Sequence, residues 1–211
     1  MITYTFLALM IIFSLYCFYD RRAMNKYLFH PYSIKNHGEH YRFLTHAFIH
    51  GDYLHLFFNC MALFSFGLIL EEQYFSNPAI FDPRLGKIYY ILLFTGGIYA
   101  ASAAEYLRNK NNPDYSSLGA SGAISSVLFC FIMISPISKI YLFFIPLQGW
   151  IAGVLLLGVS YYLIRRKRLG TYSDNVSHEA HFWGALFGVV FILIIKPSVA
   201  KSFFYQIVGI F

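Results

Sequence analysis

Of 211 residues, 58% are hydrophobic, 20% aromatic and only 12% charged, and mean hydropathy is +0.54, which excludes an ordinary water-soluble domain and describes an integral membrane protein. The net charge of +6 lies in short segments between apolar runs, where it suits anionic lipid headgroups rather than nucleic acid. Cys17, Cys60 and Cys130 fall inside apolar runs at unrelated spacing, which fits neither a disulfide framework nor a metal site.

A hydrocarbon core takes roughly 20 apolar residues of helix, and the uncharged runs predict spans over residues 2–19, 53–71, 87–105, 117–136, 142–164 and 179–195. The ten-residue alternation of a membrane barrel is absent, so the chain reads as all-α, a polytopic bundle forming a single domain over residues 1–211. The first run lacks a basic leader and a small-residue cleavage pattern before Asp20, and reads as a span rather than a signal peptide. The connection over residues 20–52, rich in His, Tyr and charge, predicts a folded lid-like element with an apolar underside of Phe43, Leu44, Phe48 and Ile49. The link between spans four and five reads as little more than Ser138 and Lys139, and Pro146 and Gly149 would let span five bend near its start. Residues 202–211 are too short to cross and read as an interfacial segment after Pro197.

Chemistry-bearing groups gather near the starts of spans two, four and six, which run in one direction and so bring them to one depth. Ser121 sits in Gly119-Ala120-Ser121-Gly122-Ala123 at the head of span four. Unpaired N–H groups and the positive dipole end at such a position can stabilise an oxyanion, and the glycines leave room for a substrate backbone. The structural alternative is small-residue helix packing with a serine bonded back to its own helix. His181 shares a helical face with Gly184 and Gly188, a close-packing pattern that can press the imidazole toward span four. There it could take a hydroxyl proton and return it to a leaving amine. His55 and Asn59, four apart on span two, can donate hydrogen bonds to the same charge or can merely link helices.

Taken together, Gly-x-Ser-Gly at Gly119 to Gly122, His-xxx-Asn at His55 to Asn59 and Ala-His-xx-Gly-xxx-Gly at Ala180 to Gly188 resemble the rhomboid family of intramembrane serine proteases, a likeness running from His37 to Gly188. The resemblance implies a six-span rhomboid-like bundle in which Ser121 is the nucleophile and His181 the general base and acid. His55, Asn59 and the Ser121 N–H would form the oxyanion hole. Glu71 looks like the family's structural glutamate, and Gly119, Gly122, Gly184 and Gly188 would serve packing. No cofactor or metal is implied. The implied partners are single-pass transmembrane substrates within the lipid bilayer, and the implied location is the plasma membrane of a bacterium. Two positions depart from the pattern. The family's Trp-Arg motif stands here as Tyr41-Arg42, and Ser125 occupies the place of a tyrosine that packs on the histidine in bacterial members.

Charge argues about orientation in the other direction. Arg21, Arg22, Lys26, Lys35, Arg42, Arg108, Lys110 and the Arg165–Arg168 cluster share the face of the three groups, against Arg84, Lys87, Lys139, Lys196 and Lys201 opposite. The positive-inside rule would turn that face toward the cytoplasm, whereas bacterial members open outward. Two rival functions complete the reading. A His-rich metallo-hydrolase is disfavoured because His178 and His181 are three apart, not the four of a His-Glu-x-x-His zinc helix. A non-catalytic rhomboid-like protein that binds membrane helices would keep the fold without cutting.

Overall fold

A computed structural model describes residues 1–142 and 144–209. In lipid every backbone polar group needs an internal partner, so the apolar runs close their hydrogen bonds as helices. Helix α1 (Ile2–Tyr19) has no side-chain cap of its own. Its start is satisfied instead by Glu71, whose carboxylate accepts from the N–H groups of Ile2 (2.6 Å) and Thr3 (2.8 Å) and from the Thr3 hydroxyl (2.7 Å). Tyr90 joins the same cluster at 2.8 Å from the Thr3 hydroxyl.

The first connection folds as α2 (Arg21–Tyr27), α3 (Pro31–His37) and α4 (Arg42–Thr45), followed by a 3₁₀ turn at His46–Phe48. Asp20 caps α2, His30 with Pro31 opens α3, and Gly38 ends it in the left-handed conformation. Arg42 is buried, and its guanidinium donates to Glu39 (2.6 Å) and to the carbonyls of Asn25 (2.9 Å) and Leu28 (2.8 Å). It ties the end of α2 to the turn ahead of α4. Ile49 is fully buried beneath this element, while Leu44 is exposed.

Helix α5 (Tyr53–Phe75) starts on an Asp52 cap and widens to π geometry over Leu63–Gly67 and Leu70–Phe75. Helix α6 (Pro83–Asn109) opens with Asp82 as cap and proline in its first turn. Then follow α7 (Ser121–Ile134), an antiparallel hairpin of β1 (Lys139–Leu142) and β2 (Ile145–Gln148), α8 (Gly149–Arg168), α9 (His178–Ile195) and α10 (Ser198–Val208). By length and apolarity alone α1, α5 and α9 can cross a bilayer. Helix α7 is central and packs on α6 and α9 along most of its length.

Boundaries differ from the sequence reading in two places. The fourth span starts at Ser121 and not at residue 117, because Ser117 pairs with Phe29 in a short antiparallel bridge (2.9 and 3.0 Å) and Gly119 donates to the His46 carbonyl (2.9 Å). Gly119 has φ +109, a conformation closed to most side chains. The fifth span starts at Gly149 and not at residue 142. The apolar stretch before it pairs as a hairpin, with Tyr141 opposite Pro146, since proline cannot donate within a helix. The bend expected inside span five therefore lies ahead of the helix. Helix α10 has no buried residue; Ile210 and Phe211, the end of the expected interfacial segment, lie outside the described residues.

Candidate active site

The close approach of α7 and α9 follows from two glycines. A Cβ on Gly184 would meet the backbone of Gly122, and one on Gly188 the backbone of Ser126, so only glycine lets the two helices pack main chain to main chain. One turn above Gly184 on α9 stands His181, and beside Gly122 on α7 stands Ser121, the first residue of its helix.

Ser121 and His181 border one cavity of about 270 Å³, together with Asn59 of α5, Ser125 of α7 and Ser160 of α8. Its remaining wall is apolar, formed mainly by Phe58, Leu128, Leu156 and Leu157. No hydrogen bond joins the Ser121 hydroxyl to the His181 ring, and neither has another protein partner among the described residues. Unliganded sites commonly show such loose geometry, which tightens when substrate or transition state binds. Ala120 at the cap position of α7 offers no side-chain acceptor, so N–H groups of the first turn have no partner among the described residues.

Asn59 is buried, and its amide donates to the His55 carbonyl at 2.9 Å; a second amide hydrogen remains. His55 does not line the cavity. Its ring lies against Gly119, where a Cβ would collide with it, two residues ahead of Ser121. Behind it His50 stands at 4.9 Å between ring centroids in an edge-to-face contact. The Ser14 hydroxyl lies 2.9 Å from His50 Nδ1, and Nε2 is buried without a partner among the described residues. Burial first, then the neighbouring His55, pushes the His50 imidazole down to about 3, so it is neutral. His46, buried with Nδ1 2.9 Å from the Arg42 carbonyl, is pushed down to about 4 by burial.

Ser125 hydrogen-bonds back to the Ser121 carbonyl at 2.8 Å and leaves the His181 ring uncovered from that side. One turn back along α9, His178 stands edge-to-face with His181 at 6.2 Å. His178 is held by Asp174 at 2.8 Å, which also accepts from Lys167 (2.7 Å) and Tyr172 (2.9 Å). Burial acts against ionisation of Asp174, yet Lys167, His178 and Tyr172 hold its carboxyl well below the usual carboxylate range.

The Rhomboid domain family model matches residues 37–198, well over half of the chain. The chain belongs to the rhomboid family. It is 25% identical over 175 residues to RHOMBOID-like protein 12, mitochondrial, of Arabidopsis thaliana, covering 80% of this chain and 50% of that protein. It is 31% identical over 159 residues to Rhomboid protein 1, mitochondrial, of Saccharomyces cerevisiae, covering 74% and 42%. To the Bacillus subtilis rhomboid YdcA it is 32% identical over 87 residues, covering 41% and 37%. The chain thus spans half or less of the length of these relatives. Two of the names are mitochondrial, which lends no support to the bacterial plasma membrane implied by the resemblance. The protein is a rhomboid-family helical bundle integral to a membrane.

Sequence reasoning passed over Glu105, Ser117, Ser177 and Asp174; it weighed His46, His50 and His178 only as metal ligands and took the first two for surface histidines, whereas both are buried. Only Ser177 left a local signal, as a cap residue ahead of a glutamate and an apolar run. Glu105 joins segments far apart in the chain through Ser117 and Ser177, whereas Asp174 and His178 are only four residues apart.

Proposed function

We propose that this rhomboid is a serine endopeptidase that cleaves single-pass membrane proteins within or beside their transmembrane segment. The observation that carries the reading is one cavity shared by a serine at a helix N-terminus and an imidazole on the helix packed against it. In this reading Ser121 attacks the scissile carbonyl while His181 takes its proton and passes it to the leaving amine. The free N–H groups at the head of α7 and the uncommitted Asn59 hydrogen meet the developing oxyanion, and His55 shapes the Gly119 turn that presents them. The apolar wall takes up the substrate helix from lipid. A helix hides its carbonyls in hydrogen bonds, so cuttable segments carry Gly, Pro or small polar residues near the cut.

Purified protein and its Ser121→Ala form, reconstituted in liposomes with a panel of transmembrane substrates, test this. Cleavage by the first and none by the second is expected. Co-purification of uncut substrate with both forms would mark a helix-binding protein instead.

A further inference from the structure

Glu105 is the one acidic side chain that α6 carries into the protein interior, only 3% exposed. Among the described residues no cation pairs with it. Arg108, one turn along the helix, pairs with Glu179, and Lys167 pairs with Asp174. What Glu105 holds is hydroxyls. Ser177 donates to Oε1 and Ser117 donates to Oε2 at 2.9 Å.

The positions of the two serines matter. Ser117 lies four residues ahead of Ser121, and Ser177 lies four residues ahead of His181. Ser117 belongs to the extended segment that leads into α7, which has no helical hydrogen bonds of its own. Ser177 is the cap of α9, where its hydroxyl oxygen also accepts from the Ala180 N–H at 3.2 Å. Two levels of contact therefore fix the distance between the head of α7 and the head of α9. Below, the glycine-lined backbones of α7 and α9 touch. Above, one carboxylate on a third helix grips both lead-in segments.

We propose that Glu105 is a positioning residue that sets the separation of Ser121 and His181 by tying Ser117 and Ser177 to the same carboxylate. This rests on the Ser121–His181 dyad proposed above. A carboxylate accepts at both oxygens and can take both hydroxyl donors, whereas the amide of glutamine accepts at one atom only. Glutamine at this place would keep the volume and release at least one arm. Reacting groups must be held within a fraction of an ångström, and a shift of about 1 Å can cost about 100-fold in rate.

The test is a coupling experiment in liposomes with a transmembrane substrate, using Glu105→Gln, Ser117→Ala, Ser177→Ala and the two combinations of each serine change with Glu105→Gln. Ser121→Ala is the blank. Glu105→Gln and each serine variant should lower kcat by roughly 10- to 100-fold with KM within about twofold, and the serine changes should add nothing once Glu105→Gln is present. Thermal unfolding of the single serine variants, which remove one hydroxyl each, separates misfolding from mispositioning. Wild-type kcat in both serine variants, losses that multiply with that of Glu105→Gln, or effects on KM or thermal stability alone would each overturn the proposal while leaving the dyad intact. A wild-type protein no faster than Ser121→Ala would bring down the dyad itself, and the proposal with it.

Discussion

At the level of single residues, the site depends on which hydrogen-bond donors remain free. Asn59 spends one amide hydrogen on its own helix and keeps the other, so Asn59→Ala removes the donor proposed for the oxyanion and should lower kcat by about 100- to 1000-fold with little change in KM. Steady-state cleavage of a transmembrane substrate measures this, and an unchanged kcat would remove Asn59 from the oxyanion hole. Gly184 acts differently. A side chain there would press into the Gly122 backbone, so Gly184→Val should part α7 from α9, cost about 1–3 kcal/mol or more through overpacking, and abolish activity along with a drop in the unfolding temperature. The close-packing glycines were legible in the sequence because helical spacing alone puts Gly184 and Gly188 on the face of His181. Glu105 was not, since its partners lie 12 and 72 residues away and nothing local marks them.

Among the elements, the first connection is the one most exposed to pH. His46 and His50 are buried neutral imidazoles, pushed down to about 4 and about 3 against an ordinary value near 6.5. Between those values the unfolded segment binds protons that the folded one excludes. Their contribution to stability is thus complete above pH ~6.5 and is lost progressively as pH falls toward 4, on the order of 3 kcal/mol for His46 alone. Proteolytic nicking of residues 20–52 should accelerate below about pH 6 in the wild type and much less in His46→Gln; identical acid profiles would show that His46 does not report folding of this element. The elements misread in sequence share a cause. Residues 139–148 form an apolar run that length and hydropathy cannot tell from a helix, and the strand pairing of Tyr141 with Pro146 decides it. Residues 117–120 look like the first turn of a span until Phe29 and His46 claim their backbone groups.

For the molecule as a whole, the cavity is walled on one side by α5 and on another by α8, two helices with almost no direct contact. In the proposed reading a substrate helix arriving from lipid passes between them, while a small reagent need not. Cross-linking Phe58→Cys to Leu156→Cys with a short bifunctional thiol reagent, in a Cys60→Ala background, should block cleavage of transmembrane substrates and leave small-probe labelling of Ser121 intact. Unimpaired cleavage after complete cross-linking would place substrate entry elsewhere. The bundle itself was readable from composition, because lipid leaves a chain this apolar few alternatives. How α6 braces α7 and α9 required coordinates.

Labelling of the reconstituted protein with a fluorophosphonate, read by intact mass and peptide mapping, tests the central claim most directly, that Ser121 and His181 act as one nucleophilic unit. Modification confined to Ser121, lost in Ser121→Ala and reduced at least about 100-fold in His181→Ala, is the expected result. Full-rate labelling of the His181→Ala protein, or substrate cleavage that persists in Ser121→Ala, would contradict it.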